Sequence, residues 1–213
     1  MEKIKIIFAH RIFKIMKWVF LILLGLYLIL VAVRVVHFFN LDKTNAQVEK
    51  IHATKLTLDD VMGKNLPPDP GVLADQTVQG IDANNNGIRD DVELAVFKEY
   101  PNSAKTRAVL LQYALALQME TVQPIVNTIT ATEVVREQSR GYQCVGSVLF
   151  RDDNNKKIMD KYFNDGDKLR SFVKDMQFNT KERKDSRNNF LENVRSYSDL
   201  DQTCDIDVSK LSN

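Results

Sequence analysis

The longest apolar run in the sequence lies near its N-terminus. Residues 18–33 carry no charged side chain, and the apolar character continues to Phe39 if Arg34 snorkels toward the membrane surface. The resulting stretch of 22 residues, 18–39, would be about 33 Å long as a helix, close to the ~30 Å hydrocarbon core of a bilayer. The pattern therefore predicts a transmembrane helix.

The residues that flank this run predict its orientation. Lys14 and Lys17 lie directly before it, and Trp18 suits a membrane interface. By the positive-inside rule, the basic N-terminus stays in the cytoplasm. We therefore expect a single-pass signal anchor in the inner (cytoplasmic) membrane, with the remainder of the chain in the periplasm.

Two other interpretations of the apolar run stay open. A cleaved signal peptide would leave a soluble periplasmic protein, but it needs small residues just before the cleavage point, and the first such pair, Thr44 and Ala46, lies well beyond the run. A core helix of a soluble protein would need the rest of the chain to cover a helix that is apolar on all sides. The uncleaved anchor is the favoured interpretation.

The remainder of the chain has the apolar spacing of amphipathic helices. No run alternates apolar and polar residues as a half-buried strand would, so the pattern predicts an all-α body. The predicted helices cover residues 90–100, 104–127, 130–150, 156–163, 169–178 and 180–197. The segment 104–127 is broadly apolar, and we expect it at the centre of the fold, with Ser103 as its N-cap.

Proline and charge patterns divide the chain before these helices. Three prolines within residues 67–70 favour an extended link, and the mixed composition of residues 41–60 is typical of a juxtamembrane stalk or a short helix. The predicted organisation is a basic cytoplasmic N-terminus (1–17), a transmembrane anchor (18–39), a stalk with a proline-rich link (40–71) and a helical domain (72–213).

The overall net charge of +1 conceals an asymmetry between the two ends of the chain. The first 40 residues hold six basic residues and one acidic residue, whereas the rest holds 23 basic and 27 acidic residues. An acidic body lacks the basic surface that nucleic-acid binding requires, so we expect no nucleic-acid partner. Eight glycines and five prolines in 213 residues exclude a collagen-like or low-complexity chain.

The two cysteines, Cys144 and Cys204, are 60 residues apart. If the body lies outside the cytoplasm, a disulfide between them is the natural expectation. The alternative is a pair of unrelated thiols. A metal site built on them is disfavoured because the body contains a single histidine, His52.

One loop, residues 82–93, has the spacing of a calcium-binding loop. Calcium takes six to eight oxygen ligands, and a glycine at the sixth position permits the sharp turn that lets alternate side chains converge. The candidate ligands are Asp82, Asn84, Asn86, the backbone carbonyl of Ile88, Asp90 and Glu93, with Gly87 at the sixth position. The alternative is a metal-free turn rich in Asn and Asp, in which Asp90 or Asp91 caps the helix that follows.

This loop resembles the EF-hand loop and, more closely, the single calcium loops of dockerin modules and thrombospondin type 3 repeats. It departs from a paired EF-hand at its eighth position, where Arg89 replaces an apolar residue, and in its short lead-in after Pro70. The longer stretch LPPDPGVLADQTVQGIDANNNGIRDDVE is similar to the start of uncharacterised exported bacterial proteins. The resemblance implies one structural calcium ion and an exported helical domain.

The sequence shows no catalytic motif such as G-x-S-x-G, H-E-x-x-H or a phosphate-binding loop. We therefore expect an envelope interaction or structural module with an envelope protein as its partner; the alternative is a hydrolase-type envelope enzyme with an unrecognised carboxylate site. Two charged segments are expected to be solvated: the helix face at residues 181–185 and the acidic tail with Asp199, Asp201, Asp205 and Asp207.

Overall fold

The computed structural model describes residues 2–149, 156–200 and 202–212, and it describes the side chains of residues 13–149, 164–200 and 202–212. All regular elements in these ranges are helical, so the all-α prediction is confirmed. The α-helices are α1 (Glu2–Ala53), α2 (Leu58–Met62), α3 (Asp90–Glu99), α4 (Ala104–Val122), α5 (Thr128–Ser147), α6 (Lys156–Gln177) and α7 (Lys181–Leu191); 3₁₀ turns cover Gly71–Asp75 and Val208–Lys210.

The contacts divide the chain into two units, Met1–Asn45 and Ala46–Asn213. In the first unit, α1 forms one long apolar helix, as predicted. By length and composition it could cross a membrane, and none of its most apolar window is buried. That exposure argues against the core helix of a soluble protein, since such a helix is covered by the rest of its fold.

The second unit is built around α4. Fifteen of its 19 residues are buried, and it packs against α2, α3, α5, α6 and α7. Its central position and its N-cap are as predicted, because the Ser103 side chain accepts a hydrogen bond from the Thr106 amide. The other helices cover α4 so fully that four polar residues, Arg107, Gln112, Gln118 and Glu120, are buried together with its apolar ones.

The segment expected to be a stalk belongs to the folded unit. The division falls after Asn45, and Ile51, Leu56 and Val61 are core residues. Their spacing within a charged segment hid this role, because only three apolar side chains in the segment reach the core. Residues 46–62 therefore contribute to the domain instead of separating it from the anchor.

The predicted break between two helices at residues 164–167 is wrong. Helix α6 continues through this Asn-Asp-Gly-Asp sequence without interruption. A side chain at Gly166 would lie 3.0 Å from the Arg170 guanidinium and 3.2 Å from Leu149 Cδ1, so glycine fits a close packing position here. Packing of α6 against α4 and α5 overrides the weak helix propensity of these residues.

The predicted disulfide between Cys144 and Cys204 is present, with an S–S distance of 2.09 Å. It joins α5 to the segment after α7. The predicted end of the α5 helix at Phe150, and Asp201 in the acidic tail, lie outside the described residues.

Candidate metal centre

The backbone of the loop at residues 82–93 turns sharply at two residues with positive φ. Gly87 has a φ of 84° and Asn85 a φ of 57°. At Gly87 a Cβ atom would also lie 2.7 Å from Leu115 Cδ1 of helix α4. Glycine at the sixth position is therefore required both by the backbone conformation and by the close approach to α4.

The first, third and fifth positions of the loop turn their side-chain oxygens toward its backbone amides. The Asp82 carboxylate accepts hydrogen bonds from the amides of Asn86 (3.1 Å) and Gly87 (2.9 Å). Asn84 Oδ1 accepts from the Asn86 amide (3.3 Å), and Asn86 Oδ1 accepts from the Ile88 amide (2.8 Å). These bonds hold three predicted ligands on the inner side of one turn.

Glu93, the twelfth position, closes the same turn from helix α3. Its Oε2 accepts hydrogen bonds from Asn84 Nδ2 (3.0 Å) and Asn86 Nδ2 (3.1 Å). The residue is 1% exposed, and burial raises the pKa of its carboxyl to about 7. Among the residues that the structure describes, this buried carboxylate has amide donors and no cationic partner, and a bound cation would supply the missing positive charge.

Asp90, the ninth position, faces a different group. Both of its carboxylate oxygens accept from the Ala83 amide, at 3.0 and 3.2 Å, and burial raises its pKa. Its own amide donates to the Ile81 carbonyl at 2.8 Å. Asp90 therefore closes the start of the loop onto its end, and its carboxylate takes no part in the hydrogen bonds that join Asn84 and Asn86 to Glu93.

The remaining predicted ligand is the backbone carbonyl of Ile88, whose side chain is fully buried in the core. The metal-free alternative expected Asp90 or Asp91 to cap the next helix, and neither does. Arg89 is the N-cap of α3 without a side-chain capping bond, and Asp90 and Asp91 lie in the first helical turn. Acidic side chains in a first turn still favour the helix, because they oppose its dipole.

Arg89 is a structural residue that the sequence analysis did not identify. Its fully buried guanidinium donates to both carboxylate oxygens of Asp91, at 2.6 and 2.8 Å. It also donates to the carbonyls of Met176 (2.8 Å) and Gln177 (3.1 Å), at the C-terminal end of α6. At the position where a paired EF-hand has an apolar contact, this loop docks onto its own domain.

Arg183 fixes the segment that leads into the loop, and the predicted solvated face on α7 is wrong at this residue. Its side chain is fully buried and donates to the carbonyls of Val78 (3.0 Å) and Thr77 (3.1 Å). It also donates to the Ala74 carbonyl and to Asp75. The segment before the loop contains only the short 3₁₀ turn Gly71–Asp75, and contacts with α7 hold it in place.

A polar cavity of about 560 Å³ lies beside the loop. Asp82, Asn84 and Gly87 line it on the loop side, and Lys50 and Gln123 are among the residues on the other side. We call it the loop cavity. It gives solvent a route to the inner face of the loop.

A second group of charged side chains joins α5 to two segments, the one around residues 52–55 and the C-terminal one around Asp205. Glu137 lies 2.9 Å from His52 Nδ1, 3.1 Å from Lys55 Nζ and 2.6 Å from Arg140 Nη2. Burial opposes the ionisation of Glu137, but Arg140 and Lys55 outweigh it and its pKa is lowered. Arg140 Nη2 also lies 2.6 Å from Asp205 Oδ1, so the acidic tail is not solvated at this residue.

The space enclosed by this second group has no volume for a ligand. Its carboxylates are paired with cations, and its geometry is that of an ion-pair cluster that holds the C-terminal segment against the helices. An enzyme of the hydrolase type would need an open cleft with convergent acids, and this cluster does not provide one.

Among the residues that the structure describes, no group of three or more His, Cys, Asp or Glu side chains is arranged to hold a metal ion. Asp82, Asp90 and Glu93 of the candidate loop therefore do not form such a group, and two further predicted side-chain ligands, Asn84 and Asn86, are amides. Comparison of the chain with protein-family models, with curated proteins and with solved structures found no match. The function must therefore be argued from the chain itself.

Proposed function

We propose that this protein is a membrane-anchored helical module of the cell envelope. In this proposal α1 crosses the inner membrane with its basic end in the cytoplasm, and the unit Ala46–Asn213 lies in the periplasm. The loop at residues 82–93 binds one calcium ion with a structural role. The domain acts by binding an envelope protein, not by catalysis.

The observation that carries the calcium part is the environment of Glu93. Its carboxylate is almost fully buried and, among the described residues, accepts hydrogen bonds from the amide groups of Asn84 and Asn86 and forms no ion pair. Ionisation without a counter-charge is costly at such a site. A calcium ion supplies that charge, and Asp82, the two asparagines, the Ile88 carbonyl and Glu93 are the residues that would hold it.

Binding would require a local change in the two asparagines. In the structure their amide nitrogens face Glu93, whereas a cation needs their oxygens. The backbone of the loop is already turned as required, because Asp82, Gly87 and Asp90 hold it through hydrogen bonds. The cost of binding is therefore confined to side-chain rotation, with modest affinity in the 10⁻⁴–10⁻³ M range typical of extracellular modules.

A bound ion would stabilise the domain around the loop. Arg89 joins the loop to the end of α6, and Gly87 lies against Leu115 of α4. Fixing the loop therefore fixes the segment between residues 71 and 80 against the helices that support it. The ion is a structural element in this proposal and takes no part in a reaction.

Calorimetric titration of CaCl₂ into the chelator-treated full chain, held in detergent, tests the proposal. We expect a stoichiometry near one and a gain of about 1.4 kcal/mol in the free energy of unfolding at ten times Kd. Both effects should be absent in Asp82→Ala and Glu93→Gln. Asp185→Asn, which removes an exposed carboxylate of α7, is the matched control and should bind as the native chain does. No heat and no shift in melting temperature at millimolar calcium would show a metal-free turn.

A further inference from the structure

Residues 121–132, between Glu120 and Glu133, contain no charged side chain. We call this stretch the uncharged segment; it joins the end of α4 to the start of α5. Four large apolar side chains within it are exposed: Val122 at 40%, Ile125 at 43%, Val126 at 41% and Ile129 at 54%. Single exposed apolar residues are ordinary, but four within eight residues, without a charge among them, indicate a contact surface.

The uncharged segment is tied to the part of α1 that follows the apolar run. Gln47 Nε2 donates to Gln123 Oε1 at 2.6 Å. Gln47 follows Phe39, the last residue of the predicted span, by eight residues. Even a fully extended chain of eight residues reaches at most about 28 Å, so covalent connection alone keeps the Gln47 backbone within that distance of the end of the span, and Gln123 lies one side-chain hydrogen bond further away.

The charge beside this segment suits a lipid surface. Lys50 lines the loop cavity together with Gln123, and it forms no ion pair with the residues that the structure describes. A lysine near an anionic membrane surface contributes on the order of 1 kcal/mol to binding. The uncharged segment and Lys50 together offer apolar side chains for the lipid chains and a positive charge for anionic headgroups, the two attractions by which peripheral segments bind membranes.

We propose that the uncharged segment rests on the bilayer that α1 crosses, with Ile125 and Val126 among the lipid chains and Lys50 at anionic headgroups. The inference rests on the anchoring part of the proposed function. Lipid is favoured over a protein partner because the short connection to the span holds this surface near the membrane in every copy of the chain. The contact would add to the anchor in limiting the motion of the domain.

The single tryptophan of the chain, Trp18, makes fluorescence quenching a direct test. The native chain, and variants carrying Trp18→Phe with either Ile125→Trp or Val72→Trp, are placed one copy per nanodisc. The discs contain lipids with or without brominated acyl chains, which quench only nearby tryptophans. Val72 is the matched control, because it is an apolar residue that is 87% exposed and lies in the same unit.

We expect brominated lipid to lower the emission of native Trp18 and of the Ile125→Trp variant by about twofold, and to leave the Val72→Trp variant unchanged. Quenching at the Ile125 position should rise with the share of anionic lipid and fall in Lys50→Gln. If Trp18 is quenched and the Ile125→Trp variant is not, the surface contact is wrong while the anchor stands. If Trp18 itself is not quenched, the anchor is wrong. Equal quenching at both reporter positions would also overturn the specific contact.

Discussion

Glu93 occupies the twelfth position of the calcium-loop pattern, and its carboxylate is buried, which makes its ionisation costly. Its place twelve residues after the start of the loop follows the calcium-loop pattern, while its burial follows from its position in the first turn of α3 beside the core residue Val92. The amides of Asn84 and Asn86 satisfy its oxygen but do not neutralise its charge. The calcium-free chain should therefore be sensitive to pH at this residue.

The first prediction concerns the stability of the calcium-free chain. Burial raises the pKa of Glu93 from 4.5 to about 7, so the folded state binds more protons than the unfolded state between these values. The free energy of unfolding should fall as the pH rises through this window, by roughly 3 kcal/mol at most. Urea unfolding in chelator at several pH values measures this. Glu93→Gln should lose this part of the dependence, and equal slopes for the two chains would refute the assignment.

Arg183 carries the second prediction. Arg183→Met keeps much of the side-chain volume but leaves the carbonyls of residues 74–78 without their donor, and it should lower the free energy of unfolding by about 3 kcal/mol. Arg183→Lys should recover only part of the loss, because an ammonium group lacks the planar fork of a guanidinium. Lys184→Met, at the exposed neighbouring position, should change stability by less than about 0.5 kcal/mol. Similar losses at both positions would show that Arg183 has no special role.

These residues also mark what the sequence could and could not reveal. The spacing from Asp82 to Glu93 located the loop, and the structure brings Asp82, both asparagines and Glu93 to one turn. Arg89 and Arg183 were missed because sequence patterns associate a charge with solvent, whereas each guanidinium satisfies several buried carbonyls. Their partners, at residues 74–78 and 176–177, are distant in the sequence, so no local pattern identifies them.

At the scale of helices, the apolar pattern of long segments predicted where helices lie, whereas glycine and other residues of low helix propensity did not predict where helices end. The central position of α4 followed from its apolar pattern. Glycine is unfavourable inside a helix, yet Gly141 and Gly166 both lie inside helices that pack closely; a Cβ at Gly141 would be 3.1 Å from the Tyr113 Cα. Close contact between α4 and α5 thus explains a glycine that local propensity counts as unfavourable.

The disulfide between α5 and the C-terminal segment gives the third prediction. Cross-linking residues 60 positions apart should stabilise the fold by about 4 kcal/mol through the entropy of the unfolded chain. The double variant Cys144→Ser, Cys204→Ser should show this loss in urea unfolding, and so should the native chain after reduction. Reductant should leave the double variant unchanged. If reduction does not affect the native chain, the bridge adds nothing to stability.

At the scale of the whole molecule, the sequence predicted a long apolar helix followed by a helical body, and the structure has both. The contacts place the division between the two units after Asn45. The charged residues of segment 40–62 resembled a stalk, but Ile51, Leu56 and Val61 belong to the core. A few core side chains in a polar segment leave too weak a periodic signal to be recognised without their partners on other helices.

The orientation of the anchor is the last prediction. Five basic residues precede the span, at positions 3, 5, 11, 14 and 17. If the N-terminus lies in the cytoplasm, protease added to spheroplasts should digest a C-terminal tag, which is exposed to it, and leave an N-terminal tag intact. Replacing the five basic residues by glutamine should reduce the share of chains with a digestible C-terminal tag, whereas Lys43→Gln with Lys50→Gln should not. The intact mass of the untagged chain should be 24.4 kDa, and a mature form starting near residue 47 would contradict an uncleaved anchor.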